Sequence, residues 1–182
     1  MIILFRIIIR KLEIILKDKT VNVSNSNWIL ETCNSAYFFG INEDGYLINS
    51  FWGKRKDKKT DYPLPVLKAG WASFDSSANV LPEEYPVYGR AFHHEPCLKI
   101  TFADGVRDLV LKYETDWSSQ NEIAIQLCDT YYPIQVILHY RAHADYDLIE
   151  RWVEVINKGQ ESLTVERIFS AQWHFPDQQQ CY

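Results

Sequence analysis

The run PIQVILHYRAHADYDLIERWVEVINKGQESLTVERIFSAQWHF, from Pro133 to Phe175, decides the fold, because apolar and polar side chains alternate through three consecutive segments of it. Successive side chains of an extended strand point to opposite faces, so a period of two is the signature of a half-buried strand. In the first segment Ile134, Val136, Leu138 and Tyr140 share one face, and Gln135, His139 and Arg141 share the other. In the second, Ile149, Val153 and Val155 oppose Glu150 and Glu154, with Arg151 and Trp152 reading as breaks in the alternation. The third interleaves Leu163, Val165 and Phe169 with Thr164, Glu166 and Ser170. The connectors Ala142–Asp147 and Asn157–Gly159 hold Asp, Asn and Gly, the residues that form tight turns. Three strands joined this way predict an antiparallel meander.

Upstream the same grammar continues. Trp28–Thr32, Tyr37–Ile41 and Tyr46–Trp52 read as strands, the last two joined by Asn42-Glu43-Asp44-Gly45. Cys97–Phe102 and Asp108–Glu114 read as a pair across Ala103-Asp104-Gly105, and Asn121–Cys128 leads into the opening run. Between them, residues 53–95 lose all periodicity and contain Pro63, Pro65, Pro82 and Pro86. Long loops in compact domains are functional or disordered, and Trp71, Phe74, Tyr85, Tyr88 and Phe92 argue for order. The expected fold is all-β: about ten strands in a large two-sheet antiparallel sandwich.

A chain of 182 residues suits one domain and can bury a full core. Its six Trp, eleven Tyr and nine Phe favour strands, and seven Gly with seven Pro are too few for disorder. The net charge of −5, with Lys54–Lys59 as the one basic cluster, argues against nucleic acid as a partner. Cys33, Cys97, Cys128 and Cys181 are scattered and form no CxxC pair, which favours a reducing, cytoplasmic setting. Residues 1–20 form an extension in which Phe5, Ile8, Ile9, Leu12, Ile15 and Leu16 recur at helical spacing. Arg6 and Arg10 exclude a transmembrane span or signal core. A basic amphipathic helix on a membrane surface, a helix packed on the sheet and an irregular extension produced by where the reading frame opens all fit, the last two better, since the domain pattern of residues 21–182 starts near Trp28.

Chemistry is sparse in the pattern. His93-His94-Glu95 offers metal-ligand types, yet neighbours in an extended chain point apart and no HExxH spacing occurs, so no metal is expected. No GxSxG elbow is present. Asp61, Asp75, Glu83, Glu84, Asp145 and Asp147 are the carboxylates available for acid–base work; glycoside hydrolysis needs two of them converging on one bond. Trp28, Trp52 and Trp152 lie in strands and read as core, whereas Trp71 and Trp117 read as loop residues able to stack on a sugar.

Five collinear segments, WILETCNSAY (Trp28–Tyr37), GYLINSFWG (Gly45–Gly53), LPEEYPVYG (Leu81–Gly89), ADGVRDLVLKYE (Ala103–Glu114) and Asp145–Pro176, together resemble the amino-terminal domain of the glycoside hydrolase family 36 α-galactosidases. The resemblance implies a β-supersandwich standing before a (β/α)8 barrel that carries a retaining exo-α-galactosidase site. It also implies a sandwich that continues past Tyr182, and a chain inactive alone, since the KWD strand end of the family's nucleophile has no counterpart here. In some members the loop after the YWG-like strand reaches the galactose pocket, sometimes across a subunit interface. The family's acidic position in that loop has no direct counterpart in VLKAGWASFD, so the nearest carboxylates after Phe51-Trp52-Gly53, Asp61 and Asp75, with Trp71 as the nearest aromatic, are the candidates for the substrate rim. No catalytic residue, metal or organic cofactor is implied; the implied partners are the barrel, α-galactosides bound by a complete enzyme, and further copies in a homo-oligomer. Two other readings stand beside this one: a free-standing carbohydrate-binding sandwich using Trp71 and Trp117, and a structural adaptor pairing through an open sheet edge.

Overall fold

The computed structural model describes residues 2–9, 27–58, 62–63, 82–89, 95–119 and 121–173, the first stretch by its backbone. Ten strands follow in chain order: β1 (Ile2–Ile9), β2 (Asn27–Glu31), β3 (Ser35–Ile41), β4 (Leu47–Lys54), β5 (Leu98–Thr101), β6 (Leu111–Ser118), β7 (Glu122–Asp129), β8 (Ile134–His143), β9 (Leu148–Asn157) and β10 (Thr164–Ile168). The helical content of the described residues is one short 3-10 turn, Ala144–Tyr146.

The strands form a five-stranded sheet ordered β1-β9-β8-β7-β6, a three-stranded sheet ordered β2-β3-β4 and a two-stranded ribbon of β10 and β5. One apolar core joins all three. It takes Ile125, Leu138 and Val153 from the first, Leu30, Tyr37 and Phe39 from the second, and Leu98 and Ile100 from the ribbon. Rings meet across the layers: Phe39 stacks on Tyr140 with centroids 4.6 Å apart, and Trp28 lies 5.9 Å from Tyr113. This is the two-layer sandwich expected. The opposite face of β3 buries Ala36 and Phe38 in a second cluster with Tyr62.

The turn chemistry explains two of the joints. Gly45 adopts φ +80°, and Asn42 Oδ1 accepts from the backbone N–H of Asp44 at 3.1 Å and of Tyr46 at 2.8 Å, which closes the β3–β4 hairpin. Asp147, after β8, sits at φ +52°.

Four sequence expectations change. Residues Ile2–Ile9 are a strand paired in parallel with β9 from Ile2↔Leu148 to Ile9↔Val155, not a helix. The run IILFRIII is dominated by β-branched residues, and the edge of β9 offers them ladder hydrogen bonds that outweigh a helical spacing. The expected meander of the 133–175 run loses its third strand, because β10 crosses to pair with β5 while β8 and β9 continue from β6 and β7. Consequently Cys97–Phe102 and Asp108–Glu114 share a turn but not a ladder: β6 pairs with β7. A register shift between Val165 and Arg167 then leaves Phe169 49% exposed and turns Ser170 inward.

The crossing is tied down by charge. Glu166 of β10 accepts from the Thr101 hydroxyl, from Arg107 Nη2 at 2.6 Å, and has Lys99 Nζ at 3.2 Å. These donors, Thr101 first, hold its carboxyl down at about 2 against an ordinary 4.5. A carboxyl depressed in the folded state stabilises above its unfolded pKa and loses that contribution as pH falls through the folded value. Acid unfolding should therefore show wild type losing its advantage over Glu166→Gln between pH about 4.5 and about 2. Equal pH dependence of the two proteins over that window would contradict the assignment.

Candidate functional site

Residues 82–89, within the aperiodic stretch 53–95, carry the most strongly built polar feature among the described residues. Glu83 bridges Ile48 of β4 and Val87 bridges Leu98 of β5. Glu84 N–H donates to Leu47 O at 2.8 Å, Cys97 N–H to Pro86 O at 2.7 Å, and Leu109 N–H to Tyr88 O at 3.0 Å. The segment thus laces the three-stranded sheet to the ribbon.

Its key is Glu84, which has no exposed surface. Oε1 accepts from Tyr37 OH at 2.8 Å, Tyr140 OH at 2.8 Å and Arg151 Nη1 at 2.5 Å, and Oε2 from Asn49 Nδ2 at 3.1 Å. Arg151 Nη2 donates to the backbone carbonyl of Glu84 at 2.9 Å, so one guanidinium holds both its side chain and its main chain. Arg151 is also fully buried, with Tyr140 5.2 Å and Trp173 5.7 Å from its guanidinium carbon. Burial is the largest single influence and opposes its charge, but the Glu84 carboxylate together with Tyr140, Tyr37 and Cys97 outweighs it and raises its pKa. Burial, reinforced by Glu84, pushes the Tyr37 and Tyr140 phenols well up, so both stay protonated as donors. An ionised pair inside a core is tolerated only with its remaining hydrogen bonds satisfied, and this one is nearly so.

This geometry corrects the reading of β9. Arg151 does not break the alternation; it occupies the inward face with Ile149 and Val153, and Trp152 points outward with Glu150 and Glu154. The signal in the sequence is an arginine at an apolar position with no carboxylate on its own face of the strand. Its partner lies 67 residues upstream.

The proposed acid–base carboxylates fare accordingly. Every Glu84 oxygen is committed to structure. Asp147 Oδ1 accepts from the Thr32 hydroxyl and from Ser35 Oγ at 2.9 Å, donors that hold its carboxyl below the ordinary range while fixing the β8–β9 turn to β2–β3. Glu83 is buried on the bridge to β4. Asp145 lies exposed in the 3-10 turn. Asp61, Trp71 and Asp75 lie outside the described residues, as do His93 and His94. Tyr62, the described residue next to Asp61, is buried against Phe38 at 5.8 Å and Phe51 at 5.3 Å and donates to Glu31 Oε1 at 3.2 Å. The outgoing limb of the excursion is therefore anchored immediately after Asp61. No cluster of three or more metal-ligand side chains occurs among the described residues, and no helix there is long and apolar enough to cross a membrane.

Two concavities adjoin at the β6–β7 turn. A wide cleft of about 830 Å³ opens between β2 and the β6–β7 and β8–β9 turns, with Trp28, Glu31, Asn121, His143 and Tyr146 on its walls. A smaller groove of about 160 Å³ lies on the outer face of the five-stranded sheet. Strand register puts Trp117, Ala124, His139 and Trp152 in one row across that face. Trp117 is a β6 residue, 44% exposed, and not a loop residue; Trp152 stacks on His139 at 4.7 Å and 3°, and is not core.

Comparison with known proteins accounts for this architecture. The model of the glycosyl hydrolase family 36 N-terminal domain matches residues 45–182. The bifunctional α-galactosidase/sucrose kinase AgaSK of Mediterraneibacter gnavus is 27% identical over 82% of this chain and 19% of its own length. Alpha-galactosidase 1 of Pediococcus pentosaceus is 24% identical over 88% of this chain and 26% of its own. Among solved structures, the α-galactosidase of Lactobacillus brevis superposes with a TM-score of 0.72 at 19% identity, covering 84% of this chain and 24% of that one. The chain thus spans about a quarter of the length of the relatives it matches. With a family match over three quarters of its residues and the same fold in a solved relative, the chain belongs to the glycosyl hydrolase family 36 N-terminal domain family.

Proposed function

We propose that this chain serves as the non-catalytic N-terminal β-sandwich of an α-galactosidase-like glycoside hydrolase. The observation that carries the reading is the family match over residues 45–182 in relatives of which the chain covers about a quarter. The carboxylates support it, because Glu84 and Asp147 are spent on structure and cannot serve as a converging acid–base pair. In this role residues 21–182 form the domain, and the segment 1–20 adds its first strand to the edge of the sandwich.

The task of the domain is to buttress a catalytic barrel and to hold the 53–95 excursion at the rim of its galactose pocket. Asp61, Trp71 and Asp75 are the excursion residues assigned to that rim: a carboxylate accepts sugar hydroxyls and an indole covers an apolar sugar face. Copies of the enzyme assemble as a homo-oligomer in the cytoplasm. The buried Cys97 thiol, pushed up to about 12 by desolvation, is an inert core residue, as suits a reducing compartment.

The test is hydrolysis of p-nitrophenyl α-D-galactopyranoside by the purified chain. No release above the uncatalysed rate is expected; turnover by the chain alone, abolished by substituting any of its carboxylates, would overturn the reading.

A further inference from the structure

We infer that the outer-face groove between Trp117 and His139 is a binding site for one neutral pyranose ring. Its floor is Ala124, the one small residue in a row whose other members on β6, β8 and β9 are Trp117, His139 and Trp152. Because strands lie about 4.8 Å apart, Trp117 and His139 rise from backbones about 9.5 Å apart on either side of that floor. Two van der Waals contacts of about 4 Å leave room for one ring between those walls. The groove volume of about 160 Å³ is that of a single small ligand and not of an oligosaccharide.

The His139 wall is held in place from outside, and Trp117 faces it across the floor as the exposed wall. His139 stacks flat on Trp152, and the Arg141 guanidinium lies 5.3 Å from the Trp152 ring centroid. Carboxylates border the row on both sides in fixed positions. Glu122 is 2.5 Å from Arg141 Nε, and Glu154 Oε1 is 3.4 Å from His139 Nε2. Apolar walls with the Glu122 carboxylate and the Ser118 and Ser119 hydroxyls at the border select a ligand with flat C–H faces and hydroxyls at its rim, which describes a pyranose. The inference does not depend on what a complete enzyme hydrolyses.

The test is a titration of the full 182-residue chain with methyl α-D-galactopyranoside, followed by the indole N–H resonances of its tryptophans. Saturable shifts of Trp117 and Trp152 are expected, with half-saturation on the order of 1 mM for a ligand of about a dozen heavy atoms. Trp117→Ala should remove one wall and Ala124→Leu should fill the floor, and each should weaken binding at least about tenfold. Ala124→Leu is an outward substitution that leaves every aromatic in place, so it separates loss of the groove from loss of the fold. Shifts that fail to saturate, or that persist unchanged in both variants, would overturn the site.

Discussion

Glu84→Ala is expected to cost about 3–5 kcal/mol of folding stability, because it strands the Arg151 charge in a fully buried site. It also removes the acceptor for Tyr37 OH and Tyr140 OH, each then a buried donor without its partner. For a protein of this size that loss lowers the melting temperature by roughly 6–20 °C. Arg151→Met should cost a similar amount for the converse reason, leaving the carboxylate unpaired. The informative measurement is the double variant Glu84→Leu/Arg151→Met in urea unfolding. Replacing a buried ion pair by apolar side chains of like volume is often neutral, so the double variant should recover most of what either single change loses. Additive losses would show that the two residues do not act as a pair. The point of such a costly device is specificity of placement: a carboxylate at Glu84 seats only where Arg151 and two phenols converge, so residues 82–89 cannot slide along β4 and β5.

Gly89→Ala should produce the second large loss, about 2–4 kcal/mol. Gly89 has φ +127°, a conformation that side chains rarely adopt and that costs about 1–3 kcal/mol. An added Cβ would also stand 2.9 Å from Asp108 Cα and 2.9 Å from Leu109 N, which are backbone atoms with little freedom to withdraw. The chain passes this close because Leu109 N–H donates to Tyr88 O. The same assay reads the result, and Gly105→Ala supplies the contrast: φ is +85° there but nothing lies within 4 Å, so its loss should be clearly smaller. Equal losses at the two positions would mean that backbone conformation alone, and not close packing of the returning segment, sets the cost.

The inward faces of β7, β8 and β9 were legible because periodicity reports which face is buried. Ile134, Val136, Leu138 and Tyr140 all point into the core as their spacing requires. Pairing was less legible, since alternation says that a strand has a buried face but not which neighbour covers it. Hence β10 was assigned to β9 when it pairs with β5. Arg151 shows a sharper limit: local pattern treats a charged residue on the apolar face as an error, whereas the fold supplies its counter-charge from 67 residues away. Trp152 reads as core because an aromatic in a strand suits either face, whereas Trp117 reads as a loop residue because the polar run Glu114–Asn121 carries no alternation to mark the end of β6. For the rim, Asp61, Trp71 and Asp75 come from family resemblance alone, and the described structure adds the anchor at Tyr62, next to Asp61, and the lock at Glu84, beyond Asp75.

The claim that this sandwich exists to support a glycosidase barrel is tested most directly by transplantation. A family 36 α-galactosidase shortened by its N-terminal quarter would be assayed for soluble yield and for hydrolysis of p-nitrophenyl α-D-galactopyranoside, with and without residues 28–182 of this chain joined in front. The account predicts that the shortened enzyme is poorly soluble or inactive and that the joined form regains hydrolysis. A shortened enzyme as active as the intact one would contradict it, as would a joined form that stays inactive when the relative's own domain restores activity.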